Sequence, residues 1–279
     1  MAITSTSART LSSPRRWVEP AARAGYATKG VLYGLIGALA LAAVSGNGGT
    51  VGGTEEAQRT IADQPFGQVL LGLIGAGMFA LAAWRFVQAI RDPEGATRRA
   101  PKTGVLKRIG WVAGGIAHGA VGVAAFQLAL GDPSSSGSER EWVSKVLAWQ
   151  PVGPILIGIA GAALVLFALS QIYAAWTTDF TRHLRITEMT ASQRRWATRI
   201  GRLGLFSRGV VFTIIGAGLV QAALNVSPGE TRDVGGALRE LGAQPYGAVL
   251  LGIIAAGLLA YGVYGLVEAR FRRIPSVSV

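Results

Sequence analysis

The sequence has no cysteine, only two histidines and, over 279 residues, only 15% charged side chains. Without cysteine there is no disulfide, no thiolate nucleophile, no iron–sulfur cluster and no cysteine-ligated zinc. His118 and His183 lie far apart in the chain, so a histidine-rich metal or haem site has too few ligands to form. Neither a metal nor a cofactor is expected. Ordinary globular domains carry about a quarter charged residues, whereas here half of all residues are hydrophobic. The few charges are lopsided, 27 Lys and Arg against 15 Asp and Glu, for a net charge of +12.

Uncharged runs cover 30–54, 64–84, 109–131, 146–178, 209–229 and 241–267. Each is long enough for a helix of ~20 residues to cross a hydrocarbon core about 30 Å thick. A soluble single-core protein, a disordered chain and a nucleic-acid-binding domain are thereby disfavoured. The basic residues sort by loop. Arg9, Arg15, Arg16, Arg23 and Lys29 precede the first run, and the loop after the second run spans Arg91 to Arg108 with six cations between its ends included. The loop after the fourth run runs from Arg182 to Arg208, and Arg270, Arg272 and Arg273 follow the last. The alternate loops are mildly acidic, with Glu55, Glu56, Glu139, Glu141 and Glu240 among their residues. Lys and Arg accumulate on the cytoplasmic side, so the expectation is six spans with both termini and the basic loops inside. Those loops suit anionic lipid head groups, at about 1 kcal/mol per basic residue. They lack the aromatic interleaving of a nucleic-acid surface, and no nucleic acid is expected as a partner.

One block occurs three times. Arg23-Ala-Gly-Tyr-Ala-Thr-Lys-Gly30 aligns with Arg108-Ile-Gly-Trp-Val-Ala-Gly-Gly115 and Arg202-Leu-Gly-Leu-Phe-Ser-Arg-Gly209, and a further glycine follows seven residues on at Gly37, Gly122 and Gly216. The second helix of each pair opens with Gln64-Pro-Phe-Gly67, Gln150-Pro-Val-Gly153 and Gln244-Pro-Tyr-Gly247. Glycines seven apart share one helix face and let another backbone approach closely. Proline suits the first turn of a helix and pushes its predecessor out of helical geometry, so each Gln-Pro marks a break and a fresh start. Just upstream, Ala57 and Ile61, Val143 and Leu147, Ala237 and Leu241 sit four apart, the spacing of a short amphipathic helix in the membrane interface. Organisation follows: a tail at 1–22, repeats at 23–92, 108–179 and 202–273, basic linkers at 93–107 and 180–201, and a tail at 274–279.

This pattern resembles the bacterial family designated domain of unknown function 1206, whose members carry a transmembrane helix pair three times over. The resemblance runs from about Arg23 to Arg273 and includes the Arg-x-Gly-x-x-x-x-Gly opening and the closing Tyr261-Gly-Val-Tyr-Gly-Leu-Val-Glu-Ala-Arg-Phe-Arg-Arg273. It implies six helices and residence in a bacterial membrane, and it supplies no reaction, ligand or catalytic residue. The fold class expected is all-α: a polytopic integral membrane protein of three helical hairpins in pseudo-threefold arrangement.

Polar residues inside spans are the default functional candidates, because hydrocarbon makes them costly. Arg85 is read as the lone charge within a span, near enough to its end to snorkel, with Gln171 and Gly265 at the same repeat position. Glu268 is read as an interfacial pair beside Arg270 and Arg272. His118 sits between Gly115 and Gly122, with Tyr33 and Phe212 in register, and is expected to hydrogen-bond a neighbouring helix. Gln127 and Gln221 are repeat equivalents near the outer helix ends. Gln64, Gln150 and Gln244 mark three helix N-termini whose positive dipole ends form a candidate outer anion site. Gly30, Gly37, Gly115, Gly122, Gly209 and Gly216 are candidate packing positions. No nucleophile and base are found together, so an enzyme is not expected. The leading expectation is a scaffold or accessory subunit that binds membrane-protein partners or anionic lipid in the bacterial cytoplasmic membrane. The alternative is a transporter or channel with a small-molecule or ion pathway along the pseudo-threefold axis.

Overall fold

The computed structural model describes residues 18–92, 104–132 and 139–274. The tail cations Arg9, Arg15 and Arg16, the linker cations Arg98, Arg99 and Lys102, and the tail beyond Ile274 lie outside the described residues. Six long helices are apolar enough to cross a membrane: α1 (Val18–Val44), α3 (Gly67–Arg91), α4 (Gly104–Ala129), α6 (Val152–Thr177), α7 (Ala191–Leu224) and α9 (Gly247–Phe271). Three short helices intervene, one per repeat: α2 (Thr54–Ala62), α5 (Glu139–Leu147) and α8 (Val234–Gly242). The molecule is an all-helical, multi-pass membrane protein built from a repeated helix pair.

The long helices form a ring in which the second helix of each repeat packs on the first helix of the next. Thus α3 lies on α4, α6 on α7, and α9 on α1. The repeated glycines lie in these three seams. A methyl group on Gly30 would stand 2.7 Å from the Gly262 carbonyl of α9, one on Gly115 2.9 Å from the Phe86 ring of α3, and one on Gly209 3.1 Å from the Ala168 carbonyl of α6. One turn pair further along, Gly37 meets Ala255 at 2.7 Å, Gly122 meets Gly75 at 3.2 Å and Gly216 meets Gly161 at 2.9 Å, again carbonyl oxygens of the facing helix. Backbones this close leave no room for a side chain, which is the packing that small residues allow in hydrocarbon.

Within the repeats the helices of the first and third pairs also touch, α1 on α3 and α7 on α9, whereas α4 and α6 of the second pair do not pack together. The sequence explains the difference. In the first repeat a methyl on Gly25 would lie 2.6 Å from Leu81, and Thr28 fills the space over Gly77. In the third, Gly204 comes equally near Tyr261 and Ser207 fills the space over Gly257. The second repeat has Ala163 where Gly77 and Gly257 stand, and Ala113 where Thr28 and Ser207 stand. Ala163 already carries the Cβ that the close approach forbids. Gly110, the counterpart of Gly25 and Gly204, has nothing within 4 Å of where its Cβ would be, and Ala113 and Ala163 are both exposed.

The short helices sit at the end of the ring away from the termini. Their apolar faces are buried in the protein: Ala57 and Ile61 of α2, Val143 and Leu147 of α5, Ala237 and Leu238 of α8. Gln58 of α2 donates to the Val121 carbonyl of α4 at 3.2 Å. These helices therefore cover the bundle end as well as border the lipid, where Trp142 and Trp149 stay exposed as an interfacial aromatic belt. The terminal face is tied by backbone. Arg23 donates to the carbonyls of Ala269 and Arg270, both at 2.7 Å, and the linker before α7 bonds to the end of α9 through Arg185 N to Phe271 O at 2.7 Å and Arg273 N to His183 O at 2.9 Å. The long α7 starts in that linker, with a capping box in which Thr190 and Gln193 satisfy each other's backbone N–H groups.

Candidate functional site: a basic centre within the helix ring

Position 29 of the first repeat, 114 of the second and 208 of the third are equivalent, each one residue before a seam glycine. The seam glycine faces the neighbouring repeat, so the residue before it, a further 100° round the helix, points toward the middle of the ring. Lys29 and Arg208 occupy two of the three places. In the third the residue is Gly114, and Arg85 of α3 fills the room it leaves, with Cδ 4.0 Å from where a Gly114 Cβ would stand. Each inter-repeat seam therefore sends one cation inward: Lys29 at α9/α1, Arg85 at α3/α4 and Arg208 at α6/α7. Lys29 lies about 22 Å from the outer end of its helix, Arg208 about 24 Å and Arg85 about 27 Å at 1.5 Å per residue. They share one level, in the half of the bundle nearer the termini.

Lys29 is almost completely buried. Its Nζ donates to Glu268 Oε2 and to the Tyr261 hydroxyl, both at 3.3 Å, and lies over the rings of Tyr26 and Tyr261 at 5.1 and 5.0 Å. The other Glu268 oxygen is taken by Arg272, whose guanidinium stands 4.8 Å over the Tyr26 ring. Arg208 has a different environment. Its Nε donates to the Tyr33 hydroxyl at 3.4 Å, and its guanidinium is framed by Phe212 at 4.4 Å, Tyr261 at 5.4 Å and Phe167 at 5.7 Å. Cation–π contacts of this kind hold a desolvated guanidinium without neutralising it. Arg85 donates to Gln88 Oε1 at 3.0 Å. Among the described residues neither Arg85 nor Arg208 meets a carboxylate. His118 of α4 is in electrostatic reach of Arg85, Lys29 and Arg208 together.

Several expectations change. Arg85 is not the lone charge within a span and is directed into the ring rather than snorkelling outward. Lys29 and Arg208, assigned from sequence to the terminal tail and a loop, lie inside α1 and α7 because those helices begin well before their uncharged runs. Glu268 does pair with Arg272, but it is buried rather than interfacial and joins Arg272 to Lys29. His118 contacts the Gly114 carbonyl of its own helix rather than a neighbouring helix. Gln171 of α6, half-buried, holds the register of Arg85. Gln127 is half-buried and Gln221 exposed toward the other end of the bundle, away from the cations.

The outer glutamines bond within their own repeats. All three are exposed, and each side chain folds back on its own short helix: Gln64 to Thr60 O at 3.4 Å, Gln150 to Leu147 O at 3.1 Å and Gln244 to Glu240 O at 3.5 Å. The first helical N–H groups already have partners, Gly67 on Gln64 O at 2.8 Å, Gly153 on Trp149 O at 2.6 Å and Gly247 on Gln244 O at 2.7 Å. A methyl group on any of these three glycines would collide with a carbonyl oxygen of the short helix before it, that of Ala62, Val146 or Gly242. The negative end of each short helix thus meets the positive end of the next span, which leaves little field for an anion.

The missed residues had a sequence signal. Lys29 and Arg208 align in the repeat, but the third cation comes from another column, Arg85, so no single repeat position displays the set. The family model of the Domain of Unknown Function (DUF1206) matches residues 24–92, 109–178 and 203–272. The chain belongs to the DUF1206 family. A relative in Bacillus subtilis, the uncharacterized protein YxxB, is 30% identical over 258 residues, which is 92% of each chain. No solved structure matches. As a DUF1206 protein the chain carries one copy of the domain per helix pair, and the ring arises from the contacts between copies.

Proposed function

We propose that this DUF1206 protein is a non-enzymatic binding protein of the bacterial cytoplasmic membrane, termini inside, that holds an anionic ligand at the centre of its ring. The observation that carries the reading is one inward cation at each of three seams, two of them, Arg85 and Arg208, with no ion pair to a carboxylate among the described residues. A Lys or Arg within a spanning helix costs up to about 3 kcal/mol on the insertion scale, the figure for the helix centre. Three of them against a single glutamate among the described residues, itself shared with Arg272, form a site that an anion stabilises. The basic terminal loops add attraction for anionic lipid at that face. Burial of Ala57, Ala237 and Leu238 over the opposite end favours a held ligand over a through-pathway.

Titration calorimetry in neutral maltoside detergent with dodecyl phosphate tests this. Saturable binding near one per protein is expected, weakened at least tenfold in the Arg85→Gln/Arg208→Gln double variant. Equal binding by wild type and a folded double variant would overturn the reading.

A further inference from the structure

The ring is sealed at five of its six contacts. The sixth, between α4 and α6 of the second repeat, is open, and the opening is written in the sequence: Ala163 replaces the glycine that the other two hairpins need, and Ala113 replaces the hydroxyl residue that fills that glycine's space. The lips are small or apolar. On α4, Gly110, Ala113 and Ala117 are exposed, and on α6 Ala160, Ala163 and Phe167 are exposed. Phe167 is the decisive residue, because it is 39% exposed at this lip and its ring also lies 5.7 Å from the Arg208 guanidinium. One side chain therefore joins the lipid phase to the basic centre. A water-soluble anion has no use for a route walled by alanine and phenylalanine at mid-bilayer depth. An anion attached to hydrocarbon does.

We propose that the ligand is a glycerophospholipid with an anionic head group, which reaches the centre sideways between α4 and α6. Its phosphate lies between Arg208 and Arg85, with His118 and Gln171 at the rim, and its acyl chains leave through the opening along Phe167 and the alanines. This rests on the anion-binding reading above and adds the ligand's source and route. Two guanidiniums from opposite seams suit the two unesterified oxygens of a phosphodiester. The tyrosine hydroxyls of Tyr33 and Tyr261 supply hydrogen-bonding groups for the glycerol part. Tyr26, 1% exposed, adds a buried hydroxyl with no partner beside the same cluster.

The test is native mass spectrometry of the full chain, purified in neutral detergent and mixed in turn with dioleoylphosphatidylglycerol, dioleoylphosphatidylcholine and sn-glycerol 3-phosphate. Expected are one retained phosphatidylglycerol, at least tenfold preference over phosphatidylcholine, at least a tenfold loss in Arg208→Gln, and no competition from millimolar glycerol phosphate. Two further variants address the route. Ala113→Ser/Ala163→Gly restores the close-packing pair of the other hairpins, and Ala163→Trp plugs the opening; both are expected to lower phosphatidylglycerol retention at least fivefold. Undiminished retention in both would overturn the lateral route. Arginine-dependent binding of glycerol phosphate as tight as that of the lipid would overturn the lipid assignment while leaving the anion-binding reading intact. Binding of every probe without dependence on Arg85 or Arg208 would overturn both.

Discussion

Replacing Glu268 by glutamine removes the carboxylate from the centre of the site while keeping its shape. Lys29 then loses its counter-charge and keeps the Tyr261 hydroxyl and the rings of Tyr26 and Tyr261, in a place where the two side chains are 6% and 8% exposed. Unit charges at the 3.3 Å separation of Lys29 and Glu268 attract by about 5 kcal/mol at an effective dielectric constant of ~20. Desolvation of both groups offsets much of that, but loss of one partner from a buried pair costs about 3–5 kcal/mol, because the other is left charged and unmatched. For a chain of this size each kcal/mol lowers the melting temperature by about 2 °C, so Glu268→Gln is expected to melt about 6–10 °C below wild type. Lys29→Met alone falls by a similar amount, and Lys29→Met/Glu268→Gln falls by much less than the sum. Thermal unfolding followed by tryptophan fluorescence in neutral detergent gives the double-mutant cycle. The same variant has an opposite second effect. With the one carboxylate that the described residues place beside these cations gone, dodecyl phosphate is expected to bind Glu268→Gln more tightly and to raise its melting temperature more than that of wild type. A stability loss below about 1 kcal/mol, or additive single variants, would refute the buried pair; weaker anion binding by Glu268→Gln would refute the electrostatic account of the centre.

Gly262→Ala places a methyl 2.6 Å from the Gly30 carbonyl and is expected to disrupt the α1/α9 seam, seen as loss of a monodisperse peak on size exclusion. Gly119→Ala, on the seam helix α4 but with open space around it, is expected to behave as wild type; equal damage by both would mean that seam contacts do not decide stability. Substituting Gln64, Gln150 and Gln244 together by alanine is expected to leave dodecyl phosphate affinity unchanged within a factor of two, and a tenfold loss would restore the outer anion site. Because the chain has no native cysteine, single Ala163→Cys and Gly77→Cys variants can be labelled with a lipid-soluble maleimide. Ala163→Cys is expected to react readily and Gly77→Cys, beneath Thr28, is not; the reverse order would contradict an open second hairpin.

Much of this architecture was readable before any coordinates. Spans follow from uncharged runs because charge is costly in hydrocarbon, and the seam glycines follow from a seven-residue spacing that keeps them on one helix face. The limits of those runs also misled. Lys29 and Arg208 stand immediately before uncharged runs, a position that reads as outside the membrane, yet a charge can sit within a spanning helix when its side chain faces the protein's middle instead of lipid. Glu268, three residues before the end of α9, has sequence neighbours Arg270 and Arg272 that suggest a surface pair; it does bind Arg272, but it is buried and its second partner, Lys29, comes from the opposite end of the chain, brought to it by the packing of α9 on α1. The open hairpin was legible in principle, since Ala163 breaks the Gly77 and Gly257 column. Recognising it required knowing that this column packs within repeats while the Gly30 column packs between them.

The most direct measurement is an electron cryo-microscopy map of the protein in phosphatidylglycerol nanodiscs. The account predicts α4 and α6 held apart, head-group density between Arg208 and Arg85, and acyl density passing Phe167 into the bilayer. A map with α4 packed against α6 and no density beside the two arginines would contradict it.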